Sequence, residues 1–234
     1  YEKENFIVKK LHQQIFRESS QVFAVSDYLG KSLTNYGLAD SYELLPNFID
    51  ENLFKPREKN ESFTFIHIST LDEQTKNFSG ILRALEKLKT YGCDFKFVLI
   101  GEADAKEVML KLEGHNLLEE TEAHFYIKSQ EVAEKLSRAN CLIQFSNFET
   151  FSIVLAEAWL SGVKTVHSKC GGLTENDNST LGVQIPKGDE NALFQALLKV
   201  YTKSEEGDFN TRRELALSMF HKTRITNAYM SNNY

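Results

Sequence analysis

Among its 234 residues the chain has only three prolines, one tryptophan and three cysteines. The cysteines, Cys93, Cys141 and Cys170, are far apart and form no C-x-x-C pair, so the sequence holds no disulfide framework and fits reduced thiols in a cytoplasmic setting. The six histidines are scattered, with no H-x-H or H-x-x-x-H, which argues against a metal centre. No apolar run approaches the roughly 20 residues a membrane helix needs, and "YEKENFIVKKLHQQ" has no signal-peptide core. The chain does not begin with Met, as expected of a fragment. Positive charge is short as well. The net charge is −6, and a nucleic-acid partner, which calls for a basic face, is not expected.

What is present is alternation. Short β-branched or aromatic runs occur at "VFAVS" (22–26), "FTFIHIS" (63–69), "FKFVLIG" (95–101), "HFYIK" (124–128), "CLIQFS" (141–146), "KTVHS" (164–168) and "GVQIP" (182–186). Their nearly continuous apolar character is that of strands covered on both faces. Helical patterns lie between them. "NFSGILRALEKLKTYG" puts Ile81, Leu82, Leu85 and Leu88 on one stripe with Gly92 as a stop, and Asp189 is a good N-cap for "ENALFQALLKVY". "SQEVAEKLSRAN" and "FSIVLAEAWLSG" read as helices, the second ending at Gly162, and "RRELALSMFHKTRITNAYMSNNY" as one or two helices with a polar tail. Strand–helix alternation predicts an α/β fold: a Rossmann-like, doubly wound parallel sheet of about six strands flanked by helices, with ligands in the crevice beyond the strands' carboxyl ends.

Two of the prolines flank "PNFIDENLFKP" (46–56), which reads as a connector. Before it lie a helical segment (about 3–18), a strand and a small helix, too little for an α/β domain with its own core. Residues 1–56 are therefore expected to be the tail of a preceding domain plus connector, and 57–234 a Rossmann-like domain.

Two features suggest a polar ligand. Lys76 lies where the strand 63–69 hands over to its helix, and a cation at a helix N-terminus opposes the macrodipole. Either it is simply solvated, or it shares a phosphate with the helix amides. In "FETFSIVLAEAW", Glu149 and Glu157 are separated by seven residues in an apolar stretch. With a helix starting near Phe151 they lie roughly 12 Å apart along its axis at ~1.5 Å per residue, comparable to a diphosphate between two sugars. The N–H groups of Ser152 and Ile153 would face the diphosphate, and the carboxylates would accept hydrogen bonds from sugar hydroxyls. The competing reading is that both glutamates sit at the solvated edges of an amphipathic helix. The Gly171-Gly172 pair after the strand 164–168 permits close approach of backbone to a ligand, or an ordinary turn.

Taken together, "SNFETFSIVLAEAWLSGVKTVHSKCGGLTE", "AVSDYLGKSLTNYGLADSYELLPNFIDENLFKP", "HISTLDEQTKNFSGILRALEKL", "VLIGEAD" and "LGVQIPKGDENALFQAL" resemble, in order and over almost the whole chain, the E-x7-E enzymes of glycosyltransferase family 4. The resemblance implies half of a GT-B fold: the C-terminal, donor-binding domain with the end of an N-terminal, acceptor-binding domain. It implies a retaining, metal-independent hexosyltransferase without a cofactor, whose substrate is a nucleotide-diphosphate sugar. The acceptor would be a glycan or lipid-linked molecule, reached through the rest of the N-terminal domain, as in polysaccharide biosynthesis. The location would be cytoplasmic, with peripheral docking at the inner face of the membrane in the full-length protein. This part alone would be inactive.

The same resemblance assigns Glu157 to the ribose hydroxyls, Glu149 to the transferred sugar and its phosphate, and Lys76 to the diphosphate leaving group. Backbone N–H groups of Ser152 and Ile153 would cradle phosphate, and Thr150 and Phe151 would be donor-binding. Gly101, Ile127 and Lys128 would flank the base, and Gly171 and Gly172 would adjoin the donor. The chain also departs from the family. Thr70 stands where an Arg is usual, Thr150 and Ser152 replace two glycines, and Phe48 follows Asn47 in place of glycine. Two alternatives keep the fold: a non-catalytic GT-B-like interaction module, which the missing Arg favours, and a nucleotide-sugar epimerase or hydrolase.

Overall fold

The structure, a computed structural model, describes residues 5–175, 178–203 and 209–220. It begins with α1 (Phe6–Glu18), β1 (Phe23–Ala24), α2 (Asp27–Asn35) and β2 (Glu43–Leu44), in which β1 and β2 pair in parallel. After the connector come β3 (Thr64–Ser69), α3 (Glu73–Lys76), α4 (Phe78–Thr90), β4 (Lys96–Gly101), α5 (Ala105–Gly114), β5 (Thr121–Phe125), α6 (Ser129–Arg138) and β6 (Cys141–Gln144). Then follow α7 (Ile153–Leu160), β7 (Lys164–Ser168), a 3-10 turn (Gly172–Glu175), β8 (Gly182–Ile185), α8 (Glu190–Thr202) and α9 (Phe209–Phe220).

Among the described residues, six strands form one parallel sheet in the order β5-β4-β3-β6-β7-β8. The chain starts at β3 in the middle, winds outward through β4 and β5, then returns to β6 and winds the other way. Between β3 and β6 the winding reverses, which opens a crevice at their carboxyl ends, the place where doubly wound sheets take ligands.

The near-continuous apolar strands follow from cover on both faces. Along β3, Phe65 joins the core beneath α4, α5 and α8, with Leu85, Val108 and Leu197. Its neighbour Ile66 points the other way, into the core beneath α6, α7 and α9, with Leu136, Trp159 and Ala216. Side-chain alternation along a strand thus feeds two separate cores. The Ile81–Leu82–Leu85–Leu88 stripe of α4 is fully buried, and the Asp189 carboxylate caps α8 by accepting from Ala192 N–H at 2.8 Å.

One strand falls earlier than its apolar run. The run "HFYIK" points to 124–128, but β5 is Thr121–Phe125. It is an edge strand paired only with β4, and that pairing ends at Gly101↔Phe125. Beyond it Tyr126 takes φ 54°, which turns the chain away. Three elements, β2, α3 and α5, and the 3-10 turn are additional to those read from the sequence. The part of the C-terminal helical tail beyond Phe220 lies outside the described residues. No helix among the described residues is long and apolar enough to cross a membrane.

Candidate functional site

The crevice at the winding reversal holds a cavity of about 250 Å³, lined among others by His67, Thr70, Lys76, Ser146, Glu149 and Ser152. It is built from the loop after β3, the loop after β6 and the start of α7. A second cavity of about 240 Å³ adjoins it, sharing Ile68, Ser69, Thr70 and Val154 and adding Gly101, Glu102, Tyr126 and Ile127.

The loop after β3 is held by an aromatic-buried histidine. His67 stacks on Phe78 and is almost wholly buried. Its Nδ1 lies 2.8 Å from the Ile143 carbonyl, which can only accept, so Nδ1 carries the proton. Nε2 then accepts from Ser69 Oγ at 2.8 Å, and Ser69 Oγ in turn accepts from Leu71 N–H at 2.9 Å. Burial pushes His67 down to about 4, so the ring is neutral at physiological pH. This chain fixes Leu71 at φ 58°, where its side chain covers Gly101; a Cβ on Gly101 would lie 2.5 Å from Leu71 Cδ1. Gly101 thus leaves room for the Leu71 side chain, and it also lines the second cavity.

Lys76 does not begin the long helix, as the sequence suggests. It ends the one-turn α3, and the chain passes through Asn77, at φ 49°, before α4 starts. Its local conflict with a helix dipole is therefore smaller, since the C-terminal end of α3 favours a cation. Asn147, from the loop after β6, ties α3 down: its N–H donates to the Thr75 carbonyl at 2.7 Å and its Nδ2 to the Gln74 carbonyl at 3.0 Å. This brings Lys76 Nζ to 2.7 Å from Glu149 Oε1, a pair whose side chains are 22% and 12% exposed. Ser146 Oγ donates to the same oxygen, also at 2.7 Å.

The stretch from Glu149 to Ser152 is a loop, and α7 begins at Ile153. Ser152 sits at φ 77°, a left-handed conformation that glycine adopts without cost. The family's glycine at this position thus has a backbone reason, and the serine keeps that conformation while its Oγ accepts from Gln144 Nε2 at 3.3 Å. The first N–H groups of α7 have no partner within the helix, and Ile153 and Val154 line the cavity. Thr150 is exposed, and its carbonyl accepts from Ser26 Oγ at 2.5 Å, so a residue ahead of the connector helps hold the loop.

Gly171 and Gly172 do not line this cavity. They lie beneath its loop, at φ 110° and 62°. A Cβ there would lie 2.5 Å from the Glu149 carbonyl and 2.6 Å from the Phe151 carbonyl, respectively. The close approach they permit is to the protein's own backbone. Glu149 N–H donates to the Cys170 carbonyl at 3.1 Å and Leu173 N–H to the Phe151 carbonyl at 2.8 Å.

Glu157 lies one turn into α7 and lines neither cavity. The solvated-edge reading does not describe it. Leu155, Ala156, Ala158, Trp159 and Leu160 around it are all buried, Glu157 is half-buried, and its carboxylate has no hydrogen-bond or ion-pair partner among the described residues. Burial alone pushes it up to about 7. Ile127 lines the second cavity, whereas Lys128 is exposed and precedes α6. His67, Ser69, Gln144 and Ser146 line the first cavity without having been singled out in the sequence, and Asn47, noted there only as a departure from the family motif, lines it too; a polar residue inside an apolar strand was the signal for the first four. Among the described residues no three His, Cys, Asp or Glu side chains converge to hold a metal ion.

Residues 48–215 match the family model described as "Glycosyl transferases group 1". The chain belongs to that family. Among curated proteins it is 27% identical over 197 residues to the N-acetyl-alpha-D-glucosaminyl L-malate synthase of Bacillus anthracis, covering 78% of this chain and 51% of that one. It is 25% identical over 179 residues to the MMP alpha-(1->4)-mannosyltransferase of Mycolicibacterium hassiacum, covering 71% and 41%. The chain therefore spans about half the length of these relatives or less. In fold, this glycosyl transferase group 1 chain is similar to sucrose-phosphate synthase from Thermosynechococcus elongatus, with TM-score 0.85, 19% identity and cover of 98% of this chain and 61% of that one. It is also similar to Anabaena Alr3699/HepE in complex with UDP and glucose, with TM-score 0.81, 18% identity and cover of 96% and 66%. The sheet and its flanking helices are those of half a GT-B glycosyltransferase.

Proposed function

We propose that this chain is the donor-binding part of a retaining glycosyltransferase that moves a hexosyl group from a nucleotide-diphosphate sugar to a glycan or lipid-linked acceptor. The observation that carries the reading is the Lys76–Glu149 pair at the foot of α7, in the crevice where the sheet's winding reverses. The diphosphate would lie against Lys76 and the free N–H groups at the start of α7. There a cation and a helix terminus stabilise the charge that develops as the leaving group departs. Glu149 would accept hydrogen bonds from the transferred sugar, and Glu157, one turn along the same helix, from the ribose hydroxyls. The base would enter the adjoining cavity between Gly101 and Ile127. These roles call for no metal. The solved relative HepE holds UDP and glucose, which supports a uridine nucleotide as the first donor to try. Acceptor and the second wall of the cleft would come from a preceding domain, so residues 5–220 alone would bind nucleotide and transfer nothing.

A second reading is favoured by Thr70. With no arginine there, Lys76 is the one cation among the described residues lining the first cavity, and Glu149 already pairs with it. A non-catalytic interaction module would tolerate that loss. Isothermal titration of the full-length protein with UDP-, GDP- and ADP-sugars separates the two. The enzyme reading expects one of them to bind below millimolar, and an anomeric assignment of the product by NMR then tests retention. Absence of binding by all three refutes the donor-site assignment.

A further inference from the structure

Two donors meet on one oxygen of Glu149, and they are unlike in mobility. Ser146 is fully buried, and its backbone is pinned because Ser168 Oγ donates to its carbonyl at 2.5 Å. Its hydroxyl is therefore a fixed contact to Glu149 Oε1. Lys76 ends a single helical turn, and its charge rides on a flexible four-carbon stem at the cavity wall. Glu149 Oε2 has no hydrogen-bond partner among the described residues. The carboxylate is thus fully served on one oxygen only while Lys76 stays.

We propose that the Lys76–Glu149 pair is an exchangeable resting contact by which the site tells an intact nucleotide-diphosphate sugar from the spent nucleoside diphosphate. The proposal rests on the donor-binding reading above and deepens it. A diphosphate entering the cavity draws Lys76 away, because it carries more charge than one carboxylate. Glu149 then keeps Ser146 alone and is a sheltered anion short of a donor, which is unfavourable. A sugar on the diphosphate removes that penalty, since its hydroxyls donate to the oxygens Lys76 has left. A nucleoside diphosphate without a sugar takes Lys76 and returns nothing. Once the sugar has been transferred, the exposed Glu149 competes for Lys76 again and loosens the product. Ser146 acts as a positioning residue: it keeps Glu149 aimed at the cavity during the exchange.

The test uses titration calorimetry on the full-length protein with UDP and UDP-glucose, with the GDP/GDP-mannose and ADP/ADP-glucose pairs run alongside. Glu149→Gln keeps an oxygen for Ser146 and removes the charge that competes for Lys76. It is expected to bind the free nucleoside diphosphate roughly five- to tenfold more tightly than the wild type, given a pair more sheltered than surface pairs of at most about fivefold worth. Its affinity for the sugar nucleotide is expected to stay level or fall, so the preference for the intact donor collapses. In the Lys76→Met background both ligands bind more weakly and Glu149→Gln brings no tightening. Ser146→Ala is expected to weaken the sugar nucleotide several-fold more than the free nucleotide, a split that general loosening of the fold does not produce. The inference is overturned if wild type binds both ligands and Glu149→Gln binds the free nucleotide no more tightly, or if the tightening persists without Lys76. If no pair binds the wild type at all, the donor-binding reading itself fails, and the inference with it.

Discussion

Replacing Glu157 by glutamine should make the protein more stable and worse at holding a nucleotide, and the stability gain should depend on pH. The carboxylate is half-buried among apolar neighbours and has no partner among the described residues, so burial alone raises it from 4.5 to about 7. Below the unfolded value both states are protonated and the charge costs nothing. Between about 4.5 and about 7 the unfolded carboxylate ionises while the folded one resists, so stability falls as pH rises. Above about 7 the folded state bears the whole penalty. At 1.36 kcal/mol per pKa unit, the interval from 4.5 to about 7 amounts to about 3 kcal/mol. Glutamine keeps the shape and never ionises. Glu157→Gln should therefore match wild type at pH 3 to 4 and exceed it by about 3 kcal/mol at pH 8 to 9, or roughly 6–12 °C in melting temperature for a chain of this size. Chemical unfolding across that pH range measures both curves. A gap between variant and wild type that does not grow with pH would refute the reasoning. The functional counterpart runs the other way. Ribose hydroxyls that donate to the carboxylate favour its ionised form, so nucleotide binding should release protons near pH 7 and strengthen as pH rises. The variant should lose both effects along with about 1–2 kcal/mol of affinity. A stability cost retained at a position is what a site residue carries when its partner arrives with the ligand.

Gly172→Ala should cost at least about 2 kcal/mol of stability, since it combines a left-handed φ with a Cβ 2.6 Å from the Phe151 carbonyl; it should also weaken nucleotide binding by displacing the loop, which urea unfolding and calorimetry together detect. Ser152→Gly should stay within about 1 kcal/mol of wild type, because relief of the left-handed strain offsets the lost hydrogen bond from Gln144, whereas Ser152→Val, β-branched at φ 77°, should cost more than about 2 kcal/mol by the same assay. Arg212→Ala should lower stability by about 2–4 kcal/mol, as the nearly buried guanidinium donates to the carbonyls of Thr180 (2.9 Å) and Gly162 (2.7 Å), which would lose charged partners; thermal unfolding checks it.

How much of this was legible in the sequence follows from which forces act locally. Strands and helices could be placed from apolar runs and caps because burial on both faces and hydrogen bonding at a helix start depend on near neighbours. Asp189 and the α4 stripe needed nothing from elsewhere. The edge strand β5 was misplaced for the same reason: its limits are set by where β4 ends, 24 residues earlier at Gly101, and not by the apolar run that includes Tyr126 and Ile127. The site lies further still from local rules. Glu149 and Glu157 drew notice because carboxylates in an apolar stretch conflict with their surroundings, and such conflicts mark places where something other than folding fixes the residue. What a conflict cannot reveal is its partner. Lys76 is 73 residues from Glu149, and only the crossing of β3 beside β6 makes them neighbours. Gly171 and Gly172 show the converse. Their freedom of φ was visible, but whether it serves a ligand or the chain's own backbone depends on what lies against them, and here it is the carbonyls of Glu149 and Phe151. The glycines set the height of the loop, the loop sets the reach of Glu149, and Glu149 is thereby brought to Lys76. The departures from the family therefore do not act alone. A serine held at φ 77° preserves the loop that two downstream glycines support, and that loop carries Glu149 to Lys76, close to the position where Thr70 replaces the expected arginine.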